Sequence, residues 1–310
     1  MNARMKSNEQ SVRRGFTLVE LLVVIVTIAV LAVMLLPALA KAKMRSTLDV
    51  CLNNQKQFAV ASIMFSGDHG DYIVSAGTQN NTNDNLFSWR VEPANLTGAP
   101  TTVPSGQTSQ IFYDNYGFQM GGLYPYIKNS SVIHCPADAR YLGPGHGWCS
   151  YVMVDNMNGT TVPVSGTDFR LHKMSQIKNP RGRMILAEEN DPRNETAPDG
   201  SSVYENQGTW EPYKPGSGSG GDAPSPAQFT SMRNGGTAGW YDGPTVYHNT
   251  GGTFSFCDGH AEFHKWQDST TFLFASNPNL ARQSGQGSGT SSLGHDTYWV
   301  YSHIATPVWP

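Results

Sequence analysis

The 310-residue chain is poor in charge. Lys and Arg number 21 and Asp and Glu 24, together 15% of the residues, for a net of −3. A nucleic-acid binder ordinarily presents a basic face, so no such partner is expected. Long apolar runs are scarce too. Only residues 16–40 reach the about 20 apolar residues that a bilayer span needs, which excludes a polytopic membrane protein. Internal repeats, a Gly-x-Ser-x-Gly nucleophile elbow and a phosphate-binding loop are missing, and no enzyme activity is expected. No segment keeps EF-hand spacing: Asp155-Asn156-Met157-Asn158-Gly159 fails the alternation. Gly and Pro are abundant instead, 32 and 19, and demand long loops; 33 aromatic residues exclude a wholly disordered chain, because they can supply a core.

The apolar segment is unusual in carrying an acid, Glu20, near its start. It is longer than the apolar region of a secretory signal, about 7–15 residues. A carboxylate inside a membrane-entering helix costs about 2.5–3.5 kcal/mol on insertion scales and reads as functional. Ahead of it, Arg4, Lys6, Arg13 and Arg14 outweigh Glu9. That excess predicts a cytoplasmic leader and an exported remainder. Lys41, Lys43 and Arg45 on the far side count against this orientation, and the junction decides in its favour.

The junction reads Arg13-Arg14-Gly15-Phe16-Thr17-Leu18-Val19-Glu20-Leu21-Leu22. It closely resembles the type IV prepilin leader. The resemblance implies cleavage after Gly15 by a prepilin peptidase and methylation of the new Phe16 amine. It also implies a filament-assembly role for Glu20 and a helix-kinking or locally melting role for Pro37. The physics is consistent: an ammonium on Phe16 and the Glu20 carboxylate of a neighbouring subunit can pair, and an unpaired buried charge is strongly destabilising.

The expected organisation is a leader at 1–15, a helix at 16–66 with its membrane part at 16–40, and an exported head at 67–310. Residues 38–65 hold good helix formers and Gly67 is the first breaker. Leu48, Cys51, Leu52, Gln55, Phe58, Ala59, Ser62 and Ile63 recur at spacings of three and four, a stripe that should pack on the head. Short strand-like runs follow at 72–74, 132–134, 150–154, 183–187, 253–257 and 260–266. They point to an antiparallel sheet, hence an α+β, pilin-like fold. Surface loops are expected at 92–110, 214–226 and 283–295.

Further landmarks are Cys51-Leu52-Asn53-Asn54-Gln55, Asp68-His69-Gly70-Asp71-Tyr72, Cys135-Pro136-Ala137-Asp138, Ser150-Tyr151 and His248 followed by Asp258-Gly259. They resemble the prepilin-type processing-associated domain, whose heads are similar to type II secretion pseudopilins. The resemblance implies a single-pass inner-membrane subunit with a periplasmic or extracellular head. Its partners would be prepilin peptidase, other pilin or pseudopilin subunits and an inner-membrane assembly platform. The alternative is a minor subunit of a surface pilus with a ligand- or glycan-binding head. Trp89, Trp148, Trp210, Trp240 and Tyr241 then read either as sugar-stacking platforms or as loop anchors.

Four cysteines allow three pairings, or four buried thiols. Because Cys51 and Cys135 both belong to landmarks of the family, they are paired with each other, and Cys149 with Cys257. No cofactor is expected beyond a structural calcium, which the resemblance allows, with Asp258, Glu188, Glu189 and Asp191 as its acids. A zinc reading of His248, Asp258, His260, Glu262 and His264 is set aside, since Glu262 does not sit where a zinc protease places its base. Asp258-Gly259 instead predicts a two-residue hairpin turn, with Phe256 facing Ala261 and Phe254 facing Phe263, and with Gly259 at positive φ. His248 is expected to fold back through a bend at Gly251-Gly252, bond a head loop and lock the hairpin.

Overall fold

The computed structural model describes residues 16–78, 88–140, 148–154, 157–158, 171–190, 194–204, 210, 240, 242–276 and 295–304. Gly15 and the rest of the leader, Asp191, Tyr241, the 214–226 loop and all of the 283–295 loop except His295 lie outside these residues. The chain divides into two compact units, Met1–Arg45 and Ser46–Pro310.

Helix α1 runs Leu18–Asp68. Its first part is long and apolar enough to cross a membrane, and its apolar side chains are exposed. Pro37 lies inside it, and the helix continues across it without a melted turn. Proline removes one backbone donor, and the Leu and Ala residues around it are strong helix formers. The helix also passes its expected end at Ser66 by two residues.

In the second unit the buried face of α1 is Cys51, Asn54, Gln55, Phe58, Ala59, Ala61, Ser62, Phe65 and Ser66. The three-and-four spacing is as read from the sequence, but the stripe is rotated. Ile63 is exposed, Leu48 and Leu52 are half-buried, and Asn54, Ala61 and Phe65 take their places. Phe58 is the centre of an aromatic cluster, with Trp89, Phe118 and Tyr151 rings at 5.8, 5.9 and 5.5 Å.

Strands β1 (Tyr151–Met153), β2 (Met184–Glu188), β5 (Gly251–Phe256) and β6 (Ala261–Lys265) form an antiparallel sheet in the order β1-β2-β5-β6. Strands β3 (Asn194–Thr196) and β4 (Ser202–Tyr204) make a separate hairpin. The head is thus of the α+β class. Two expected strands are absent. Residues 130–133 form a 3-10 turn, opened by Asn129, whose side chain accepts the Ser131 N–H. Tyr72 makes only an isolated bridge to Lys173. Helices α2 (Ser109–Gln119), α3 (Tyr124–Ile127), α4 (Ser269–Ser276) and α5 (His295–His303) complete the described elements. Helix α2 begins inside the expected 92–110 loop, where the Thr108 hydroxyl caps it.

The β5–β6 hairpin corrects the expected register by one residue. Ser255 pairs with Ala261, Phe254 with Glu262 and Thr253 with Phe263. Phe256 therefore opposes His260, and the turn is three residues long, Cys257-Asp258-Gly259. Gly259, at φ +93°, supplies the left-handed position that such turns require. The one-residue shift moves Ala261 and Phe263 to the opposite face from Phe254 and Phe256. Phe254 packs instead against Trp210, Trp266 and Trp299, and the Phe256 ring stacks on His260.

Cys51 and Cys135 are joined by a disulfide, Cα–Cα 5.5 Å, that ties α1 to the head across 84 residues. Cys149 and Cys257 are not joined; both are buried free thiols. Cys149 stands beside β1 and donates to its Tyr151 carbonyl, whereas Cys257 sits in the hairpin turn and faces the Met184 carbonyl. Alkylation of the folded, non-reduced chain should leave all four cysteines unlabelled. Denaturation without reductant should expose Cys149 and Cys257 alone, and peptide mapping should recover a Cys51–Cys135 cross-link. Replacing both linked cysteines by serine should cost about 4 kcal/mol, as the loop-closure model gives for a loop of this length.

Candidate functional site

Two groups of the singled-out residues come together, one at the start of α1 and one in the core of the head. At the start, Thr17 caps the helix. Its backbone N–H and hydroxyl both donate to Glu20 Oε2 at 2.8 Å, while the Glu20 N–H donates to Thr17 Oγ1 at 3.3 Å. This is a reciprocal capping box, and the Thr-x-x-Glu signal for it stood in the sequence. Phe16 is exposed just ahead of it.

In the head, the central strand β2 ends in Glu188, a buried carboxylate. Glu188 pairs with Tyr151 across the β1–β2 ladder, so both side chains lie on one face of the sheet. Its Oε2 accepts the Thr253 N–H at 2.9 Å and the Thr245 hydroxyl at 3.4 Å. Its Oε1 lies 3.1 Å from His248 Nε2. That nitrogen is also 3.5 Å from Cys135 Sγ, in the disulfide. His248 Nδ1 is buried with no hydrogen-bond partner among the described residues.

The partner of His248 is therefore a strand carboxylate, not a head loop. Nor do Gly251 and Gly252 bend the chain: both are paired in β5, with Lys265 and His264. They are glycines for want of space. A Cβ on Gly251 would fall 1.9 Å from the His264 carbonyl oxygen, and one on Gly252 would meet Thr245 Oγ1 at 3.0 Å and Glu188 Oε2 at 3.6 Å. His248 and Asp258 flank β5 at its two ends. The Asp258 carboxylate accepts the His260 N–H and bonds the His260 ring at the partly exposed turn.

Comparison of the chain with protein-family models, curated proteins and solved structures yields no match, so the resemblance stands on the residues themselves.

Asn54, Gln55, Cys135, Asp138 and Ser150, from the other landmarks, lie around the same cluster. Asn54 Nδ2 donates to the His134 carbonyl and to the Tyr151 hydroxyl, at 3.2 and 3.3 Å, and Gln55 Nε2 donates to the Thr253 carbonyl at 2.9 Å. The Cys135 N–H bonds Ser150 Oγ at 3.0 Å, and the Ser150 hydroxyl donates to Asp138 Oδ2 at 2.7 Å. Asp138 also holds Arg140 in a two-pronged ion pair. Burial opposes the Asp138 charge, but the Arg140 guanidinium outweighs it and holds the carboxyl below its usual range. Burial, with the Glu188 charge adding to it, pushes the Tyr151 hydroxyl well above its ordinary value. Burial likewise lifts the Cys149 and Cys257 thiols, to about 11 and about 12, which leaves them unreactive.

Of the acids considered for calcium, Asp258 bonds His260 at the turn, and Glu188 and Glu189 are buried neighbours at the end of β2. Among the described residues, the ligand-type groups that converge are Cys51, Cys135, Glu188 and His248, not these acids together. Sequence reading singled out all four residues and paired Cys51 with Cys135, but did not bring Glu188 and His248 to them. The aromatic sugar platform is also corrected. Trp89, Trp210 and Trp240 are buried in the core, Trp210 stacked on Trp240, and Trp148 is half-buried and stacked on His134.

Replacing His248 by alanine leaves Glu188 with one partner fewer in the core, and should cost about 1–3 kcal/mol in a chemical-denaturation measurement. A pH dependence follows from two imidazoles, the buried His134 and the half-buried His303. Burial lowers the pKa of His134 and of His303 below the ordinary value. The unfolded chain then binds more protons, so the head should lose stability as pH falls below about 6.5. Asp138 is stabilised as the carboxylate, and its contribution should disappear only below about pH 4. Thermal melts from pH 8 downward should show both declines, and His134→Gln should reduce the first.

Proposed function

We propose that the chain is a pilin-like structural subunit, a pseudopilin of a type II secretion or type IV pilus-like filament. Prepilin peptidase would cleave it after Gly15 and methylate Phe16. The observation that carries this reading is the junction: a basic leader, Gly15, Phe16-Thr17-Leu18-Val19-Glu20, then an apolar helix whose distal part is buried in a head. In this reading α1 anchors the subunit in the inner membrane, with the leader in the cytoplasm and the head in the periplasm. The assembly platform draws the subunit out, and α1 packs among the helices of other subunits. The exposed apolar side chains of residues 16–40 are the surface such packing would cover.

The head's role is structural. Trp89, Trp210 and Trp240 are buried in its core rather than presented to a sugar, and no catalytic step is assigned to it.

Mass spectrometry of the protein from its native membrane should find N-methyl-Phe16 at the amino terminus. An intact leader, or a cut near Ala40, would overturn the reading. The capping box makes a sharper test of Glu20 available. Glu20→Gln keeps a residue that can close the box but removes the charge. If charge pairing drives assembly, Glu20→Gln and Glu20→Val should both be cleaved and inserted normally and both fail to enter filaments. Normal assembly by Glu20→Gln would assign Glu20 to capping alone.

A further inference from the structure

We propose that Cys51, Cys135, Glu188 and His248 form a zinc site whenever the disulfide is reduced, so that the same two sulfurs serve either as a cross-link or as metal ligands. The four come from four separate parts of the chain: the buried face of α1, the turn after residue 133, the end of β2 and the turn before β5. All are buried, and their ligand atoms lie within 4.8 Å of one another. His248 Nε2 is 3.1 Å from Glu188 Oε1 and 3.5 Å from Cys135 Sγ. A tetrahedral zinc has bonds of about 2.3 Å to sulfur and about 2.0–2.2 Å to nitrogen and oxygen, which sets its ligands about 3.3–3.8 Å apart. The imidazole and carboxylate already stand near that spacing. The two sulfurs must part from bonding distance, about 2.05 Å in a disulfide, and rotation about their side chains supplies the movement.

The donor set selects the metal. Two thiolates, an imidazole and a single carboxylate suit zinc, whereas calcium takes six to eight oxygens. The set also supplies four ligands and leaves no open position, as in structural zinc sites. A metal there would hold α1 to the sheet in place of the covalent bond.

The exchange balances. A dithiol reductant delivers two electrons and two protons to the Cys51–Cys135 bond; the S–S bond breaks, two thiols form, and the reductant leaves as its own disulfide. Zn²⁺ then releases both thiol protons to solvent as two Zn–S bonds form. His248 binds through the Nε2 lone pair with its proton on Nδ1, and Glu188 binds as the carboxylate. Exchange with a small-molecule disulfide oxidant reverses the step: the two sulfurs re-form the Cys51–Cys135 bond, the oxidant takes up the two electrons, and two protons from solvent, and leaves as two thiols, and the metal is released.

The test uses the full chain in detergent, oxidised or reduced with a phosphine under anaerobic conditions and titrated with Co²⁺ as a spectroscopic stand-in for zinc. Circular dichroism reports the fold at each step. The reduced chain should bind one Co²⁺ with the visible bands of a tetrahedral ion and a thiolate charge-transfer band, and Zn²⁺ should displace it. The oxidised chain should bind none. Glu188→Gln and His248→Ala should each weaken binding by about tenfold or more, and Cys149→Ser with Cys257→Ser should leave it unchanged. If reduction alone unfolds the head, Zn²⁺ should restore the fold, because metal binding then supplies folding free energy. The proposal is overturned if the reduced chain neither binds the ion nor refolds with it. It is equally overturned by a spectrum lacking the thiolate band, or by full binding in Cys51→Ser with Cys135→Ser.

Discussion

Glu188 is a carboxylate in the middle of the head's core, and most of the surrounding structure answers to it. An ionised group taken out of water costs several kcal/mol unless it is paired and hydrogen-bonded. The neighbouring strand contributes the Thr253 N–H, the segment before that strand contributes the Thr245 hydroxyl and His248, and Gly252 contributes the absence of a side chain that would press on the Thr245 hydroxyl. The disulfide sulfur of Cys135 meets His248 at the same Nε2 that faces the carboxylate. A sheet built around an acid is specified more narrowly than one built around leucine, because only one register brings these donors to its two oxygens.

A second buried charge is handled differently. Asp138 has Arg140 two residues away, and its remaining lone pairs go to Ser150 and to the chain itself. This pair is locally assembled and joins the Cys135 turn to the first strand. It fixes the geometry of Cys135, which in turn fixes where the disulfide meets His248. Asn54, Gln55, Cys135, Asp138, Ser150 and His248 thus form one polar layer between α1 and the sheet, whereas Asp71 and Asp258 make their bonds elsewhere, to Ser175 and His260.

Local features were legible in the sequence and long-range ones were not. The apolar helix, its three-and-four stripe, four of the strands and the positive φ at Gly259 all follow from neighbouring residues. The hairpin register failed by one because Asp-Gly is a strong two-residue signal, yet Cys257 joined the turn and left Phe256 opposite His260. Helices α4 and α5 were missed because Ser, Thr and aromatic residues are weak helix formers that tertiary packing holds in place. Glu188 was visible as one acid of an adjacent pair. Its partner His248 lies 60 residues on, and Cys135 lies 113 residues before His248. No local pattern encodes either distance.

The bond from Gln55 to the Thr253 carbonyl spans 198 residues. The helix is the first element of the head to be synthesised, and the strand that completes its buried face is among the last. Contacts this distant in sequence must wait for most of the chain, and folding dominated by them is slow. During that interval the polar face of Asn54 and Gln55 and the thiol of Cys51 remain in solvent, so the apolar helix enters its environment with its docking surface still open. The order of synthesis places the closing of β5 onto α1 late, with Trp266, Val300 and Ile304 still to join the same core after it.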